Sequence, residues 1–480
     1  MLLKDIYNER LETIEITGIA TDSRYVKSGN LFLPISGKNF NGEEFFIEAI
    51  TKGAAGIIYD KSIPNLTVPV IVVDNLNLEL KRLIKLFYGE PYKFLTMVGV
   101  TGTDGKTSVS TLTSYLLNNI NSCANIGSNG IIYNNNIVDN IFTTLPLVEN
   151  YRMLNEFVNL GINYTSMEVS SEGIANHRID GLLFDYTVFT NLSHEHLNTH
   201  KTMHNYFLTK LKLFKQLKEQ GIMIVNKDDN YSKFFEKYNN VIYYSIFTPS
   251  DYQAINIKYY NNHTVFDLKA NDYILENIRI NRCEEYNIYN VLPSIIIALK
   301  EGININLLYD LLIDLPIIPG RLEKVPVRHP FDVYIDFAHT PNGLKSVLMA
   351  LKKKAKNDII LVLGAAGNKD STKRPLMGSI ALEYADYVIF TSEDPRTEDP
   401  NEIIKQMIGI NDLVYSNFRI ILNRYDALTY AMKIAKKDDI VLVTGKGRET
   451  FFEINEHRFD HSDFDFLLDI EINENTHKSI

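Results

Sequence analysis

The sequence predicts an α/β protein of three domains, in which helices wrap mainly parallel sheets. The chain has 480 residues, a length that corresponds to about three ordinary domains. From about residue 93 onward, short β-branched runs alternate with helix-competent stretches, as in strands joined by crossover helices. Pro91 and Pro319–Gly320 interrupt the pattern, so we predict domains at 1–92, 93–318 and 319–480.

Each range has its own predicted strands. Residues 1–92 predict a small α/β domain of short strands and one helix, with apolar runs at Leu31–Ile35 and Gly56–Tyr59. The central range predicts a parallel sheet with strands at Thr96–Val100, Tyr164–Val169, Tyr186–Thr190 and Gly221–Asn226. The last range predicts a Rossmann-like α/β domain with strands at Asp332–Phe337, Asp358–Leu363, Tyr387–Thr391 and Ile440–Thr444. It lacks a G-x-G-x-x-G turn with an acidic residue about 20 positions on, so no dinucleotide site is predicted there.

Composition and charge exclude several classes of protein. The net charge of −10 argues against a general nucleic-acid binder. No run of about 18 apolar residues occurs, so no membrane span is predicted, and the start Met1–Asp5 becomes charged too soon for a signal peptide. Cys123 and Cys283 form no metal or redox pattern. We therefore expect a cytoplasmic monomer with small-molecule substrates.

The most informative segment is a glycine-rich turn between a predicted strand and a helix-competent stretch that extends to Asn118. Such a turn lets backbone N–H groups surround phosphate oxygens, and the helix N-terminus adds positive potential. A lysine would reach the outer phosphates and a threonine hydroxyl would bind Mg²⁺. Val100 replaces the first glycine of the full P-loop pattern, so a plain turn with a solvated lysine stays open. The segment consists of Gly102, Thr103, Asp104, Gly105, Lys106, Thr107 and Ser108.

Three features of the central range are candidates for chemistry. Glu168 ends a predicted strand, where it is either a Mg²⁺ ligand or a solvated carboxylate. His194, His196 and His200 lie within seven residues. Their spacing does not match the zinc pattern His-Glu-x-x-His, which leaves a Mg²⁺ or phosphate site or a polar loop. Lys210 lies among apolar residues of an amphipathic helix, Tyr206–Phe214, and is either paired, modified or snorkelling.

Polar residues also follow the predicted strands of the last range. Arg321 is able to neutralise phosphate. Arginines for a carboxylate and acids for an ammonium group together suit a zwitterionic ligand at one edge of this domain, although each residue alone fits a solvated loop. These residues are Asp336, Arg374, Asp394, Arg396 and Glu449.

In this order, the motifs resemble those of the Mur ligases, ATP-dependent amide-forming enzymes that build the peptide of bacterial cell-wall precursors. The resemblance covers almost the whole chain and is greatest for the MurE type, which adds the third residue to UDP-N-acetylmuramoyl-L-alanyl-D-glutamate. The first range then resembles the nucleotide-sugar domain of that family. The residues that carry this part are Thr21–Arg24, Gly29–Phe32, Gly37, Asn41–Gly42 and Phe45.

The resemblance implies a role for each matching residue. ATP would be bound by Gly102 to Ser108 with Asn290, Arg321 and Asp336. Mg²⁺ would be held by Thr107, Glu168, His196 and a carbamylated Lys210, and Lys106 would complete the catalytic set. The UDP-muramoyl dipeptide would contact Ser23, on its uridine, and Thr143, Thr144, Ser170, His177 and Arg178. The incoming amino acid would contact Arg374, Asp394, Pro395, Arg396, Gly445 and Glu449.

The sequence departs from the family motifs at defined positions. Ser-Ser-His-Ala-Leu is Ser170–Ile174 with Glu172 for histidine, and Arg-Asp-His-Leu-Asp is His194–Asn198. Asp-Tyr-Ala-His-Thr-Pro-Asp carries Phe337 and Asn342 in place of its tyrosine and final aspartate. Asp-Asn-Pro-Arg is Glu393–Arg396, and Gly-Lys-Gly-His-Glu has Arg448 for its histidine.

By resemblance, the chain joins a diamino acid to the D-glutamyl γ-carboxylate through an acyl phosphate. Arg396 favours meso-diaminopimelate, because it would pair with the distal carboxylate, whereas the negative charge of Asp394 would favour lysine. Two alternatives stay open. One is a related ligase with another acceptor, of folylpolyglutamate or cyanophycin type, and the other is a non-catalytic nucleotide-binding relative.

Overall fold

The computed structural model describes residues 1–7, 14–34, 42–140, 142–409, 415–455 and 457–478, with side chains to residue 470. Gly37 and Asn41, assigned by resemblance, lie outside these ranges. The chain divides into two compact units. The first comprises 1–96, 145–163 and 176–182, and the second comprises 97–144, 164–175 and 183–480. The first unit thus includes two stretches that lie inside the predicted central range.

In its described residues, the first unit is built on a parallel sheet of four strands. The prediction of one helix in residues 1–92 was wrong, because the described part has three α-helices. The two extra helices have only five and six residues, too few for a 3.6-residue periodicity to be visible. The strands are Gly18–Ala20, Asn30–Phe32, Gly56–Tyr59 and Val70–Val72, and the helices are Leu3–Tyr7, Phe46–Thr51, Leu76–Tyr88 and Leu147–Asn159.

The second unit contains an eleven-stranded sheet within the described residues. Its central ladders are parallel, and antiparallel hairpins extend both edges. In spatial order the strands are Ile274–Ile280, Thr264–Ala270, Tyr252–Tyr259, Val241–Ser245, Leu217–Asn226, Phe184–Phe189, Thr96–Thr101, Tyr164–Glu168, Cys123–Gly127, Gly130–Tyr133 and Asn136–Val138. The helices are Lys106–Leu117, Ser171–Ala175, Leu197–His200, Met203–Leu211, Glu285–Lys300 and Ile305–Ile313.

A second sheet of this unit has six described strands, all parallel except the short edge strand. In spatial order they are Glu323–Lys324, Asp332–Asp336, Ile440–Thr444, Ile359–Leu363, Tyr387–Phe390 and Phe418–Ile420. The accompanying helices are Pro341–Lys354, Arg374–Tyr384, Pro400–Ile408, Arg424–Ile434 and Asp463–Lys478. A hairpin joins Phe451–Ile454 to His457–Asp460.

The predicted strands of the two large sheets are confirmed, with ends that agree or differ by at most four residues. The predicted helix Tyr206–Phe214 is shifted along the chain, since the α-helix runs from Met203 to Leu211 and a 3₁₀ turn follows at Leu213–Lys215. The central core is continuous and apolar, and it packs the P-loop helix against the helix Glu285–Lys300 through residues such as Val109 and Leu292. Among the described helices, none is both long and apolar enough to cross a membrane.

Candidate active site

The glycine-rich turn has the backbone geometry that its sequence predicts. Gly102 has φ +155° and Gly105 has φ +85°, and the helix begins at Lys106. A Cβ on Gly102 would lie 1.8 Å from Thr190 Oγ1, and a Cβ on Gly105 would lie 2.5 Å from Asn290 Oδ1. Only glycine fits at both positions, so the conformation of this loop depends on these two residues. Its contact with Asn290 also brings that predicted ATP residue to the P-loop.

Side chains beyond the P-loop hold it in place. Asn191 Oδ1 accepts the Asp104 N–H at 3.0 Å, and Thr190 Oγ1 donates to Asp104 O at 2.7 Å. Lys106 Nζ folds back onto the loop and donates to Thr103 O at 2.6 Å. Burial lowers the pKa of Lys106, so the ammonium group gains by meeting an anion there. Ser108 is buried in the first helical turn.

Thr107 joins the P-loop to a buried carboxylate and to an arginine. Its Oγ1 donates to Glu168 Oε2 at 2.9 Å and accepts from Arg321 Nη2 at 2.7 Å. Glu168 is 1% exposed and also accepts the Ser128 N–H at 2.7 Å. A Cβ on Gly127 would come within 2.2 Å of Glu168 Oε1, so that glycine makes room for the carboxylate. The interpretation of Glu168 as a solvated strand-end residue was wrong.

The pair of Thr107 and Glu168 fits Mg²⁺. Both supply hard oxygen ligands, and Mg²⁺ is usually held by one or two protein groups together with substrate phosphates and water. Among the described residues, no cluster of three or more His, Cys, Asp or Glu side chains is arranged to hold a metal.

Lys210 is buried beside the P-loop. Its side chain is 1% exposed, Nζ donates to Gly102 O at 2.7 Å, and the ammonium lies 4.5 Å from the ring centre of Tyr206. Burial lowers the pKa of Lys210 well below its usual range, and nearby Lys106 lowers it further. The snorkelling interpretation was wrong, because the head group is inside the protein.

His196 lies close to this lysine in a constrained backbone conformation. It has φ +57° at the start of the helix Leu197–His200, and its ring centre is 5.9 Å from that of Tyr206. Burial, with Lys210 next, lowers the pKa of His196 well below its usual range. A neutral imidazole is the form that binds metals. Glu172 Oε1 is 3.7 Å from Nδ1.

Arg321 and Asp336 belong to the loop and strand that open the last sheet. The Arg321 guanidinium lies 4.7 Å from the ring centre of Phe337, which replaces the tyrosine of the family motif. Asp336 accepts the N–H groups of Leu322 at 2.5 Å and Ala338 at 2.7 Å. Burial raises its pKa to about 6. Asp336 therefore shapes the loop that carries Arg321.

Three predicted acceptor residues surround Glu168. Thr144 Oγ1 donates to Glu168 O at 3.0 Å and accepts the Ser170 N–H at 2.9 Å. Thr143 Oγ1 is 3.2 Å from Ser128 Oγ, which itself lies 3.4 Å from Glu168 Oε2. The hydroxyls of Thr144 and Thr143 therefore lie close to Glu168, the first in direct contact with its carbonyl and the second through Ser128.

The other predicted acceptor residues lie in the first unit. Ser23 is buried and donates to Glu48 Oε2 at 2.6 Å. His177 is exposed, has φ +58°, and places Nδ1 3.1 Å from Asp180 Oδ2. The carbonyl of Arg178 accepts from Asn150 Nδ2 at 2.9 Å. Their backbone positions are therefore fixed within that unit.

The predicted amino-acid residues form a charged cluster at the carboxyl edge of the six-stranded sheet. Lys446 Nζ donates to both oxygens of Asp394, at 2.9 and 2.8 Å, and lies 2.7 Å from Glu449 Oε2. Arg396 Nη1 donates to Gly367 O at 2.7 Å. The carbonyl of Pro395 lies over Gly367, where a Cβ would approach to 1.9 Å. Asp394 thus already has a counter-ion within the chain.

Arg374 and Gly445 support this cluster. The Arg374 guanidinium is 1% exposed, forms a two-point ion pair with Glu398 at 2.7 and 3.0 Å, and donates to Gln406 Oε1 at 2.8 Å. Gly445 has φ +101°, and a Cβ there would lie 1.9 Å from Glu393 Oε2. Burial raises the pKa of Glu393 to about 7.

A buried ion pair connects the part of the second unit around the eleven-stranded sheet with the part around the six-stranded sheet. Lys373 Nζ lies 3.0 Å from both oxygens of Glu195 and donates to His339 O at 2.6 Å. Both side chains are about 95% buried. His194 Nε2 lies 2.8 Å from Thr372 Oγ1, and Asp370 Oδ2 accepts the Leu197 N–H at 2.9 Å. The histidine segment thus serves partly as an inter-domain contact.

Sequence reasoning missed several of these residues. Ser128 and Asn191 each come just after a strand of the parallel sheet, where ligands collect, so their positions carried a usable signal. Lys446 lies inside a motif already identified. The sequence carries no signal for two further contacts. Glu398 pairs with Arg374, 24 residues away, and Glu195 pairs with Lys373, 178 residues away.

Comparisons with known proteins cover nearly the whole chain. Three family models match: the Mur ligase family catalytic domain at residues 15–88, the Mur ligase middle domain at 100–298, and the Mur ligase glutamate ligase domain at 320–447. UDP-N-acetylmuramyl-tripeptide synthetase 2 of Oceanobacillus iheyensis is 36% identical, with coverage of 95% of this chain and 94% of the relative. UDP-N-acetylmuramoyl-L-alanyl-D-glutamate–2,6-diaminopimelate ligase of Bacillus cereus is 36% identical, covering 94% and 93%.

Solved structures show the same architecture. One titled as a UDP-N-acetylmuramoyl-L-alanyl-D-glutamate–2,6-diaminopimelate ligase superposes with a TM-score of 0.62 at 26% identity, covering 99% of each chain. The MurF ligase of Thermotoga maritima, in complex with ADP, gives 0.68 at 19% identity, with coverage of 96% and 98%, and supports the fold alone. The P-loop, the buried Glu168 and these matches agree, and the chain belongs to the Mur ligase family.

Proposed function

We propose that the chain is the ATP-dependent ligase that adds meso-diaminopimelate to the D-glutamyl γ-carboxylate of UDP-N-acetylmuramoyl-L-alanyl-D-glutamate. The observation that carries this proposal is the contact of Thr107 with both Glu168 and Arg321, because it gathers phosphate-binding and metal-binding groups at one point. The names of the relatives in Oceanobacillus iheyensis and Bacillus cereus supply the substrate class. The reaction belongs to the synthesis of peptidoglycan precursors.

The proposed reaction has two steps. The γ-carboxylate attacks the γ-phosphorus of ATP, the bond to the bridging oxygen breaks, and ADP leaves with an acyl phosphate formed. The amine then attacks the acyl carbon, loses a proton, and expels inorganic phosphate as the amide forms. Catalysis of both steps rests on positioning and on neutralising charge.

The residues of the P-loop region have distinct proposed roles. Lys106 leaves the loop carbonyls to pair with the outer phosphates, and Arg321 neutralises the phosphate nearest Thr107. Thr107, Glu168 and His196 would hold Mg²⁺, which supplies charge neutralisation for the phosphates and the developing acyl group. Asn290, close to Gly105, binds the nucleoside side of ATP. Asp336 positions Arg321 through the hinge loop.

Carbamylation of Lys210 is part of the proposal. Its lowered pKa favours the neutral amine, and a neutral amine attacks CO₂, so that a C–N bond forms, one C–O π bond opens and one proton is released. The product is a carboxylate in place of a buried cation. That change removes repulsion with Lys106 and provides an additional oxygen ligand for Mg²⁺.

The amino-acid cluster supports diaminopimelate over lysine. Asp394 is neutralised by Lys446 and so does not require a substrate ammonium group. Arg396 uses Nη1 for Gly367 O at 2.7 Å and places Nε 3.4 Å from Glu453 Oε1, which leaves Nη2 for a distal carboxylate. Arg374 and Gly445 shape the cluster, and Glu449 contacts Lys446. Thr143, Thr144, Ser170, Ser23, His177 and Arg178 are proposed to bind the acceptor.

We further propose that the enzyme acts as a monomer in the bacterial cytoplasm, with domains at 1–92, 93–318 and 319–480. The function is tested by phosphate release from ATP with the UDP-muramoyl dipeptide and diaminopimelate, lysine or ornithine in parallel, with the product mass measured. Turnover with diaminopimelate is expected. Absence of turnover with all three amines, in protein that binds ATP, would contradict the proposal.

A further inference from the structure

The carboxylate of Asp104 extends from the P-loop to the last domain. Its Oδ1 accepts from Thr340 Oγ1 at 3.0 Å, and its Oδ2 lies 3.4 Å from Asn342 Nδ2. Within the central domain, Ser193 Oγ donates to Oδ2 at 3.3 Å. Asp104 is thus a P-loop residue whose carboxylate mainly contacts residues of the last domain.

The partner surface is the N-terminus of a long helix. Thr340 caps the helix Pro341–Lys354 by accepting the Gly343 N–H at 2.9 Å, and its hydroxyl proton is given to Asp104. The positive end of the helix dipole faces the carboxylate, which favours the negative charge. Gly343 leaves space for this cap, since a Cβ there would be 2.9 Å from Thr340 Oγ1.

The identity of residue 342 completes this arrangement. Asn342 offers an N–H donor to Asp104 Oδ2, whereas the related family motif ends in aspartate at this position. An aspartate at 342 would place two carboxylates about 3.4 Å apart, and like charges at such a distance repel strongly. A carboxylate at position 104 is therefore favourable beside an amide at position 342 and unfavourable beside a second carboxylate there.

We propose that Asp104 and Asn342 are a matched pair of positioning residues that hold the last domain against the P-loop in the closed, reactive arrangement. The proposal rests on the proposed ligase function, because closure brings Arg321 and the amine-binding cluster to the phosphates. In the closed state the pair excludes water from the P-loop rim and protects the acyl phosphate.

A charge swap tests the pair. Asn342→Asp is expected to lower kcat/KM for ATP roughly tenfold through repulsion with Asp104, with most of the loss in kcat because closure follows binding. Asp104→Asn is expected to lower it about threefold. The double variant Asp104→Asn/Asn342→Asp is expected to return to within about threefold of the native rate. Additive losses in the double variant, or native rates in Asn342→Asp, would overturn the proposal that the two residues act as a pair.

A matched control separates this effect from helix stability. Asn306 is exposed and is the second residue of the helix Ile305–Ile313, as Asn342 is of its own helix. Asn306→Asp should keep the native rate. Asn342→Asp should not lower the unfolding midpoint, because a carboxylate is favoured at a helix N-terminus and the open form relieves the repulsion.

Small-angle scattering gives a readout that does not require turnover. With a non-hydrolysable ATP analogue, the native protein and the double variant should reach the same compact radius of gyration, and Asn342→Asp should stay more extended. Equal compaction of all variants would overturn the proposal. If the native protein closes but forms no product with any amine, the proposed function fails while the closure result still stands.

Discussion

Lys106 and Lys210 donate hydrogen bonds to the same acceptor, the carbonyl oxygen of Gly102, at 3.0 and 2.7 Å. Two ammonium groups at one carbonyl repel each other, and burial adds to that cost. The arrangement favours loss of the proton from Lys210, which is the more deeply buried of the two. An anion would remove this repulsion, either as a phosphate bound by Lys106 or as a carbamate formed on Lys210.

Lys210→Ala is expected to lower kcat at least about 100-fold, because the variant cannot form the carbamate that completes the charge pattern. Short-chain carboxylic acids such as acetate should restore part of the rate by occupying the vacated space, whereas bicarbonate should not. The control is Lys212→Ala, an exposed neighbour that should keep the native rate. A native rate in Lys210→Ala would show that the carbamate has no role.

Arg396→Ala is expected to lower kcat/KM for diaminopimelate about 100-fold, through loss of a charge-assisted pair with the distal carboxylate. The low rate with lysine should change little. Asp394→Asn should alter the ratio of the two amines less than Arg396→Ala does, because Lys446 already neutralises Asp394. Steady-state kinetics with both amines measures the ratios. Equal loss with both amines in Arg396→Ala would refute the assignment.

Lys373→Ala leaves Glu195 without its buried partner in the closed state and is expected to lower kcat/KM roughly 100-fold. The double variant Glu195→Gln/Lys373→Met should be less impaired than Lys373→Ala, because no buried charge is left unpaired. Lys352→Ala, exposed on a nearby helix, serves as the control. If the double variant is worse than Lys373→Ala, the ion pair does not act as a unit.

Glu393 should make stability depend on pH. Burial raises its pKa from 4.5 to about 7 in the folded protein, so its favourable contribution is present below pH about 4.5 and is lost as pH rises through about 7. The loss is about 3 kcal/mol. Glu393→Gln should therefore gain stability relative to the native protein between pH 5 and pH 8 in urea unfolding. Exposed Glu402→Gln should show no such trend, and a parallel trend in both variants would contradict the assignment.

The sequence predicted most of the fold because its strands are buried, β-branched runs with clear ends. Ile359–Leu363 and Ile440–Thr444 are examples in which every residue is buried. Short helices such as Phe46–Thr51 were not predictable, since six residues do not establish a period. The end of the helix at Leu211 was also missed, because Leu213 and Phe214 stay buried in the following turn.

The candidate site was predictable where a motif carries its own geometry. The P-loop glycines require positive φ, and Glu168 follows from its place at the end of a strand. The pairing of Asp394 with Lys446 was not predictable, and it changes how the cluster is interpreted, since a charge expected for the substrate is satisfied within the chain. Contacts such as Thr340 with Asp104 span 236 residues and depend on the tertiary fold.

In the proposed reaction, ATP activates the acceptor carboxylate as an acyl phosphate. The most direct measurement uses UDP-N-acetylmuramoyl-L-alanyl-D-glutamate labelled with ¹⁸O in the γ-carboxylate, with ATP and diaminopimelate, followed by mass analysis of the released phosphate. We expect one ¹⁸O atom in each released phosphate for every amide formed. Phosphate without ¹⁸O, formed together with the tripeptide, would contradict it.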